Sequence, residues 1–169
     1  MLRIALCAWL ICLGASTAAV AAKTPGEVEI GQSLREATLL GLNGPSRQLS
    51  AFRGKPLIIN FWASWCAPCI EEMPELQRFS ARQGTKGIQV VGIALDEPEA
   101  VRDFLSRVPV QYPILIDAPG PADASVRLGN LKGVLPYTVL IGADGRLLRQ
   151  RIGPFVAGEL DTFADDAAR

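Results

Sequence analysis

The chain of 169 residues contains no histidine. Covalent haem attachment is thereby excluded, because it needs His directly after a C-x-x-C pair and Ile70 stands there instead. An excess of either charge is also missing: 17 Lys and Arg stand against 17 Asp and Glu, with no basic cluster. A nucleic-acid partner would have no electrostatic footing on such a chain. Internal repeats are absent, and the 49% hydrophobic content belongs to a globular domain and not to a disordered tail.

Cysteine is scarce, and half of it falls in a segment of its own. Arg3 precedes an apolar run from Ile4 to Leu13, and small residues continue to Ala22. This is the pattern of a secretory signal peptide over 1–22, with Val20–Ala22 offering small residues for cleavage before Lys23 and Ala19–Ala21 an alternative one residue earlier. The other reading is a retained membrane anchor, since Ile4–Ala22 is 19 residues with only Ser16 and Thr17 polar, close to the ~20 needed to span a bilayer. Under either reading residues 23–169 form one domain outside the cytoplasm, in the periplasm. Cys7 and Cys12 are apolar filler in the leader and lack the small-residue context of a lipoprotein cleavage site.

The exported domain then holds only Cys66 and Cys69. An even cysteine count in an oxidising compartment ordinarily suggests a structural bridge. A bridge closing so short a loop removes little entropy from the unfolded chain, so stability is a poor reason for this one. Zinc would need two further Cys or His ligands, and the domain has none.

Around the pair the pattern reads as alternating strands and helices. ATLLGL and RQLSAF, broken by Gly41, Gly44 and Pro45, read as a leading β-hairpin. LIINFW is a continuous apolar run, as in a strand buried on both faces. Ala67 to Gln83 reads as helix, with Ile70, Met73, Leu76 and Phe79 at helical spacing and Pro74 predicting a kink. IQVVGIAL is a second buried strand. Asp96 and Pro98 then signal the start of an amphipathic helix to Val108. YPILID gives a short strand, APGPADAS leads into a short helix ending near Gly129, and YTVLI and RLLRQRI form a hairpin through Asp144-Gly145. Val156, Leu160 and Phe163 predict a closing helix. The order β–α–β–α–β–α–β–β–α after the hairpin describes an α/β domain with a central mixed sheet flanked by helices.

Within that frame, FWASWCAPCIEEMP places Cys66 where a strand gives way to a helix. A thiol is nucleophilic only as thiolate, and a helix N-terminus offers unpaired N–H donors and partial positive charge that lower its pKa. Two intervening residues put Cys69 within bonding reach of Cys66. This is the arrangement of a thiol–disulfide exchange site, in which Cys66 attacks and Cys69 resolves.

The segment NFWASWCAPC with EEMP resembles the active site of the thioredoxin superfamily, and specifically its extracytoplasmic TlpA/ResA/DsbE-like branch. The resemblance extends over RGKP, VVGIALDEPEAVRDFL and GVLPYTVLIGADGRLL, roughly Pro25 to Phe163. It implies the thioredoxin-like fold with an N-terminal β-hairpin and a central βα insertion. It also implies that Pro136 is a cis-proline facing the disulfide. Sequence physics alone would make Pro136 an ordinary strand-start proline, since cis accounts for only ~5% of X–Pro bonds. Leu135 and Tyr137 would flank a groove in which the Leu135 backbone pairs with an extended substrate segment. Here the pattern departs from GVPxT, because Leu135 lies between Val134 and Pro136. Trp65 would pack beside the exposed sulfur, and Trp62 would enter the core.

Thioredoxin itself carries a buried aspartate six residues before its first cysteine, where this chain has Asn60. Asparagine is no general base. Glu72, one turn beyond Cys69, is either the carboxylate that takes over the proton transfer or a solvated helix-face acid beside Glu71.

The resemblance implies an oxidoreductase that works without a cofactor beyond its two thiols. Its partners would be a client protein with a disulfide or dithiol, such as apocytochrome c or a copper-site assembly factor, and a membrane thiol electron donor. The domain is expected to be a monomer. An oxidant or isomerase of folding proteins and a metal carrier using the two sulfurs are the alternatives. A peroxidase of the related peroxiredoxin type would want Thr where Ala63 stands.

Overall fold

In the computed structural model, which describes residues 37–52 and 54–168, a hairpin of β1 (Thr38–Gly41) and β2 (Arg47–Gln48) leads into β3 (Leu57–Trp62) and α1 (Ala67–Gln83). There follow β4 (Gln89–Leu95), α2 (Pro98–Arg107), β5 (Ile114–Asp117), α3 (Ala124–Arg127), β6 (Tyr137–Ile141), β7 (Leu147–Ile152) and α4 (Glu159–Ala164). The predicted signal or anchor segment lies outside the described residues, among which no helix is long and apolar enough to cross a membrane.

The strands form one seven-stranded sheet in the order β2-β1-β5-β4-β3-β6-β7. β3, β4 and β5 run parallel, while β6, β7 and the leading hairpin are antiparallel to their neighbours. β3 sits centrally and is buried along its whole length, as its unbroken apolar run requires. Its side chains alternate. Leu57, Ile59 and Phe61 enter one core layer with Val91, Leu115 and Val139, while Ile58 and Trp62 face the opposite layer with Met73, Leu76 and Phe79 of α1. β5 and α3 lie between α2 and β6.

Two local expectations give way to packing. RQLSAF is strand only at Arg47–Gln48; Leu49–Phe52 tightens into a 3₁₀ turn that drives Leu49 and Phe52 into the core. The closing helix starts at Glu159, so Val156 precedes it and remains exposed. The β6–β7 hairpin forms as predicted through Asp144-Gly145. Gly145 takes φ 87°, and Asp144 Oδ1 accepts the Arg146 N–H at 3.0 Å. Helix α1 is continuous across Pro74.

Candidate active site

Parallel pairing of β3 and β4 in register, Trp62 opposite Ala94, brings the carboxyl ends of both strands to the same edge. From there Asp96 reaches across. Its Oδ2 accepts from both the N–H and the hydroxyl of Ser64, at 2.9 and 2.6 Å, and its Oδ1 accepts the Glu97 N–H at 2.8 Å. Asp96 therefore fixes the turn that carries Trp65 and Cys66, a role its helix-start position in the sequence did not reveal; Glu97 is the N-cap of α2.

Cys66 is the N-cap residue of α1, extended at φ −90° and ψ 96°, and no side chain caps the helix. Its N–H donates to Ala63 O at 3.1 Å, and its carbonyl accepts the first helical bond from Ile70 at 3.2 Å. Pro68 suits the first turn because it has no N–H to leave unpaired. Cys66 thus sits at the positive end of a 17-residue helix, where first-turn N–H groups have no intrahelical partner. Cys66 and Cys69 are joined as a disulfide, with an S–S distance of 2.02 Å and Cα atoms 5.3 Å apart. Cys66 retains 5% exposure and Cys69 none, so an incoming sulfur meets Cys66 first.

The Leu135-Pro136 peptide bond is cis, as the resemblance implied. Leu135 packs against the cluster that contains both cysteines. The turn before it is held from behind by buried Asn130, whose Oδ1 accepts the Val134 N–H at 3.1 Å. Its Nδ2 donates to Val134 O at 3.0 Å and Ser125 Oγ at 3.1 Å. Gly133 supports the same turn at φ 61°, a conformation costly for a side-chain-bearing residue. Trp65, at 70% exposure, and Val134 present apolar surface next to the cysteine and the cis-proline turn. Trp62 is fully buried, its ring 5.4 Å from that of Phe104. Tyr137 does not line the groove as expected: it is buried against Phe61, and its hydroxyl donates to Leu128 O at 2.8 Å. Strand alternation accounts for this, because Pro136 and Tyr137 leave opposite faces of the sheet.

Glu72 is not a solvated helix-face acid; it is 1% exposed. Asn60 Nδ2 donates to its Oε1 at 2.6 Å and the Phe155 N–H to its Oε2 at 3.1 Å. Burial pushes its carboxyl up to about 7, while the Phe155 N–H, Asn60 and the Arg151 guanidinium pull it down. Arg151 braces the loop that supplies this N–H: its Nη2 donates to Pro154 O at 2.8 Å, its guanidinium lies 4.7 Å from the Phe155 ring centroid, and it pairs with Glu159 at 2.6 Å. Three residues past Cys69 on α1, Glu72 leaves the same helix face as the inner cysteine.

A C-x-x-C disulfide at the head of a helix, a cis-proline whose preceding residue packs on the cysteine cluster, and a mixed sheet of this order define a protein of the thioredoxin superfamily. A family model described as Redoxin matches residues 29–166, and the chain belongs to that family. The thiol-disulfide oxidoreductase ResA of Bacillus thuringiensis subsp. konkukian is 29% identical over 140 residues, covering 81% of this chain and 78% of the relative. Among solved structures, a thioredoxin-related protein of Neisseria meningitidis serogroup B is 30% identical with a TM-score of 0.68, covering 77% of this chain and 98% of that one. A secreted Mycobacterium tuberculosis disulfide oxidoreductase homologous to E. coli DsbE is 26% identical with a TM-score of 0.64, covering 80% and 96%. The protein is a thiol-disulfide oxidoreductase of the ResA/DsbE type, with Cys66 and Cys69 as its cysteine pair.

Proposed function

We propose that the domain of residues 23–169 works outside the cytoplasm as a reductant of disulfides in specific client proteins. The Cys66 thiolate attacks one sulfur of the client disulfide; that S–S bond breaks, a mixed disulfide forms, and the other client sulfur leaves as thiolate. Cys69 then gives up its proton, attacks Cys66, and displaces the second client sulfur. Two electrons pass to the client and the Cys66–Cys69 disulfide is left behind, to be reduced again by a dithiol donor at the membrane. The difference in exposure between the two sulfurs carries the assignment of attacker and resolver.

Glu72 accepts the Cys69 proton in this scheme. A buried carboxyl that titrates near 7 can hold a proton and release it at neutral pH, which is what a general base for a thiol needs. Leu135 offers its backbone to an extended client segment beside the cis-Pro136 turn, and Trp65 and Val134 supply apolar contact. The apolar leader Ile4–Ala22 supports export, and the secreted relative is consistent with it. Apocytochrome c and a copper-site assembly factor are the client classes we favour, and the domain is taken to act as a monomer.

The test is covalent capture. Cys69→Ser, mixed with extract of the exported compartment, is expected to accumulate mixed disulfides through Cys66, whereas Cys66→Ser is not. Capture by Cys66→Ser alone would reverse the two roles.

A further inference from the structure

Three buried polar atoms have no hydrogen-bond partner among the described residues: Asn60 Oδ1, Trp62 Nε1 and Tyr112 Oη. Asn60 and Trp62 are two apart on β3 and so leave the same face of the sheet. The orientation of Asn60 is set by its amide nitrogen, which donates to Glu72 Oε1 and, at 3.0 Å, to Thr138 Oγ1 on the β6 side. The two ends of a planar amide diverge, so Oδ1 turns toward the other neighbour, β4, where Asn60 stands opposite Gly92.

At Gly92 there is no side chain. A Cβ there would lie 3.2 Å from Trp62 Nε1, 3.2 Å from Tyr112 Cε2 and 2.7 Å from Ile114 Cδ1. The indole N–H and the phenol ring thus border Gly92, the β4 residue that Asn60 pairs with. One donor, one acceptor and one hydroxyl lie on residues around it, none satisfied by protein. Each would cost about 1–3 kcal/mol if left so, and buried polar groups of this kind are met in folded proteins by internal water making about three hydrogen bonds.

We propose that Asn60, Trp62 and Tyr112 form a binding site for one internal water. The water accepts from Trp62 Nε1–H, donates to Asn60 Oδ1 and shares a hydrogen bond with Tyr112 Oη. Its consequence is felt at Glu72. With Oδ1 held by the water, Asn60 keeps its Nδ2 donor toward the carboxylate. Without the water the amide is free to turn its oxygen there and disfavour the ionised form. Tyr112 is then a positioning residue, acting on Glu72 through the water and Asn60. The other groups around Glu72 are the Phe155 N–H and Arg151 from the β7–α4 side and Cys69 on its own helix; Tyr112 is its neighbour from the segment before β5. Only this consequence, not the site, rests on the proposed proton transfer by Glu72.

The experiment is water-selective cross-relaxation NMR on the whole oxidised protein, read at the Trp62 Nε1–H proton. A direct dipolar peak to water is expected at this buried indole. Its absence would overturn the site, whether or not any variant folds. Tyr112→Phe is expected to weaken that peak and to raise the midpoint of the Glu72 carboxyl ¹³C titration by about one unit; a midpoint unchanged from wild type would overturn the positioning role. In Glu72→Gln the indole–water peak should persist. A persistent peak together with unimpaired thiol exchange in that variant would remove the proton-transfer reading and leave the water site standing.

Discussion

Glu72→Gln is expected to abolish a pH-dependent stability change of about 3 kcal/mol. The carboxyl titrates near 7 in the folded oxidised protein and near its ordinary value of 4.5 in the unfolded chain. Between those values the folded state binds more protons than the unfolded state, so stability falls as pH rises through the window. Glu72 favours the fold most below about pH 4.5 and least above about pH 7. At about 1.4 kcal/mol per unit, a shift of this size gives the stated figure. Glutamine cannot titrate, and it places an amide beside the Asn60 amide, so a constant offset between the two proteins is expected as well. The diagnostic quantity is therefore the slope. Denaturant unfolding of the oxidised forms from pH 4 to 8 should show the wild type losing stability relative to Glu72→Gln. Parallel curves would mean that the Glu72 carboxyl titrates at the same pH in the folded protein as in the unfolded chain. In thiol exchange the same variant should be slowed by about a hundredfold near neutrality, the lower end of what a positioned base contributes.

Cys69→Ser is expected to reduce multiple-turnover reduction of a client disulfide by at least about a thousandfold while leaving the first attack largely intact. Resolution by Cys69 is intramolecular, from a sulfur whose carrier Cα lies 5.3 Å from that of Cys66. Well-oriented intramolecular reactions reach effective concentrations of about 10⁵ M and above, which no thiol in solution matches. With Cys69 removed, the mixed disulfide waits for an external thiol at millimolar concentration. Stopped-flow measurement of the first step and steady-state turnover should therefore separate in Cys69→Ser and be lost together in Cys66→Ser. Equal loss of both steps in Cys69→Ser would show that the inner cysteine activates Cys66 as well as resolving it.

The element order could be read from the chain because each strand and helix carries its own period. LIINFW, QVVGIAL and the α1 face are contiguous signals, and Asp144-Gly145 marks its hairpin without help from elsewhere. The two cysteines were legible for the same reason, being adjacent on one helical turn. What could not be read is the set of contacts that join distant segments. Glu72 becomes a buried carboxyl only because Asn60, 12 residues earlier, and Phe155, 83 residues later, close over it. The EEMP stretch itself looks like two surface acids, and only the second is inside. Asp96 holds Ser64 across 32 residues, and the sequence shows it only as a helix start. Tyr137 was misplaced because one residue of alternation separates a groove wall from a core residue. The identity of Pro136 as a cis-proline came from family resemblance alone, since no local rule distinguishes it.

The central claim is that the reduced Cys66–Cys69 dithiol is poised to give electrons to clients. The most direct test is the equilibrium reduction potential of the Cys66–Cys69 pair, titrated in thiol buffers and followed by the fluorescence of Trp65 and Trp62. A two-electron transition toward the thioredoxin end, around −270 mV, is predicted. A midpoint near −120 mV, the range of strong oxidants, would contradict the account and make the protein an oxidant of folding clients.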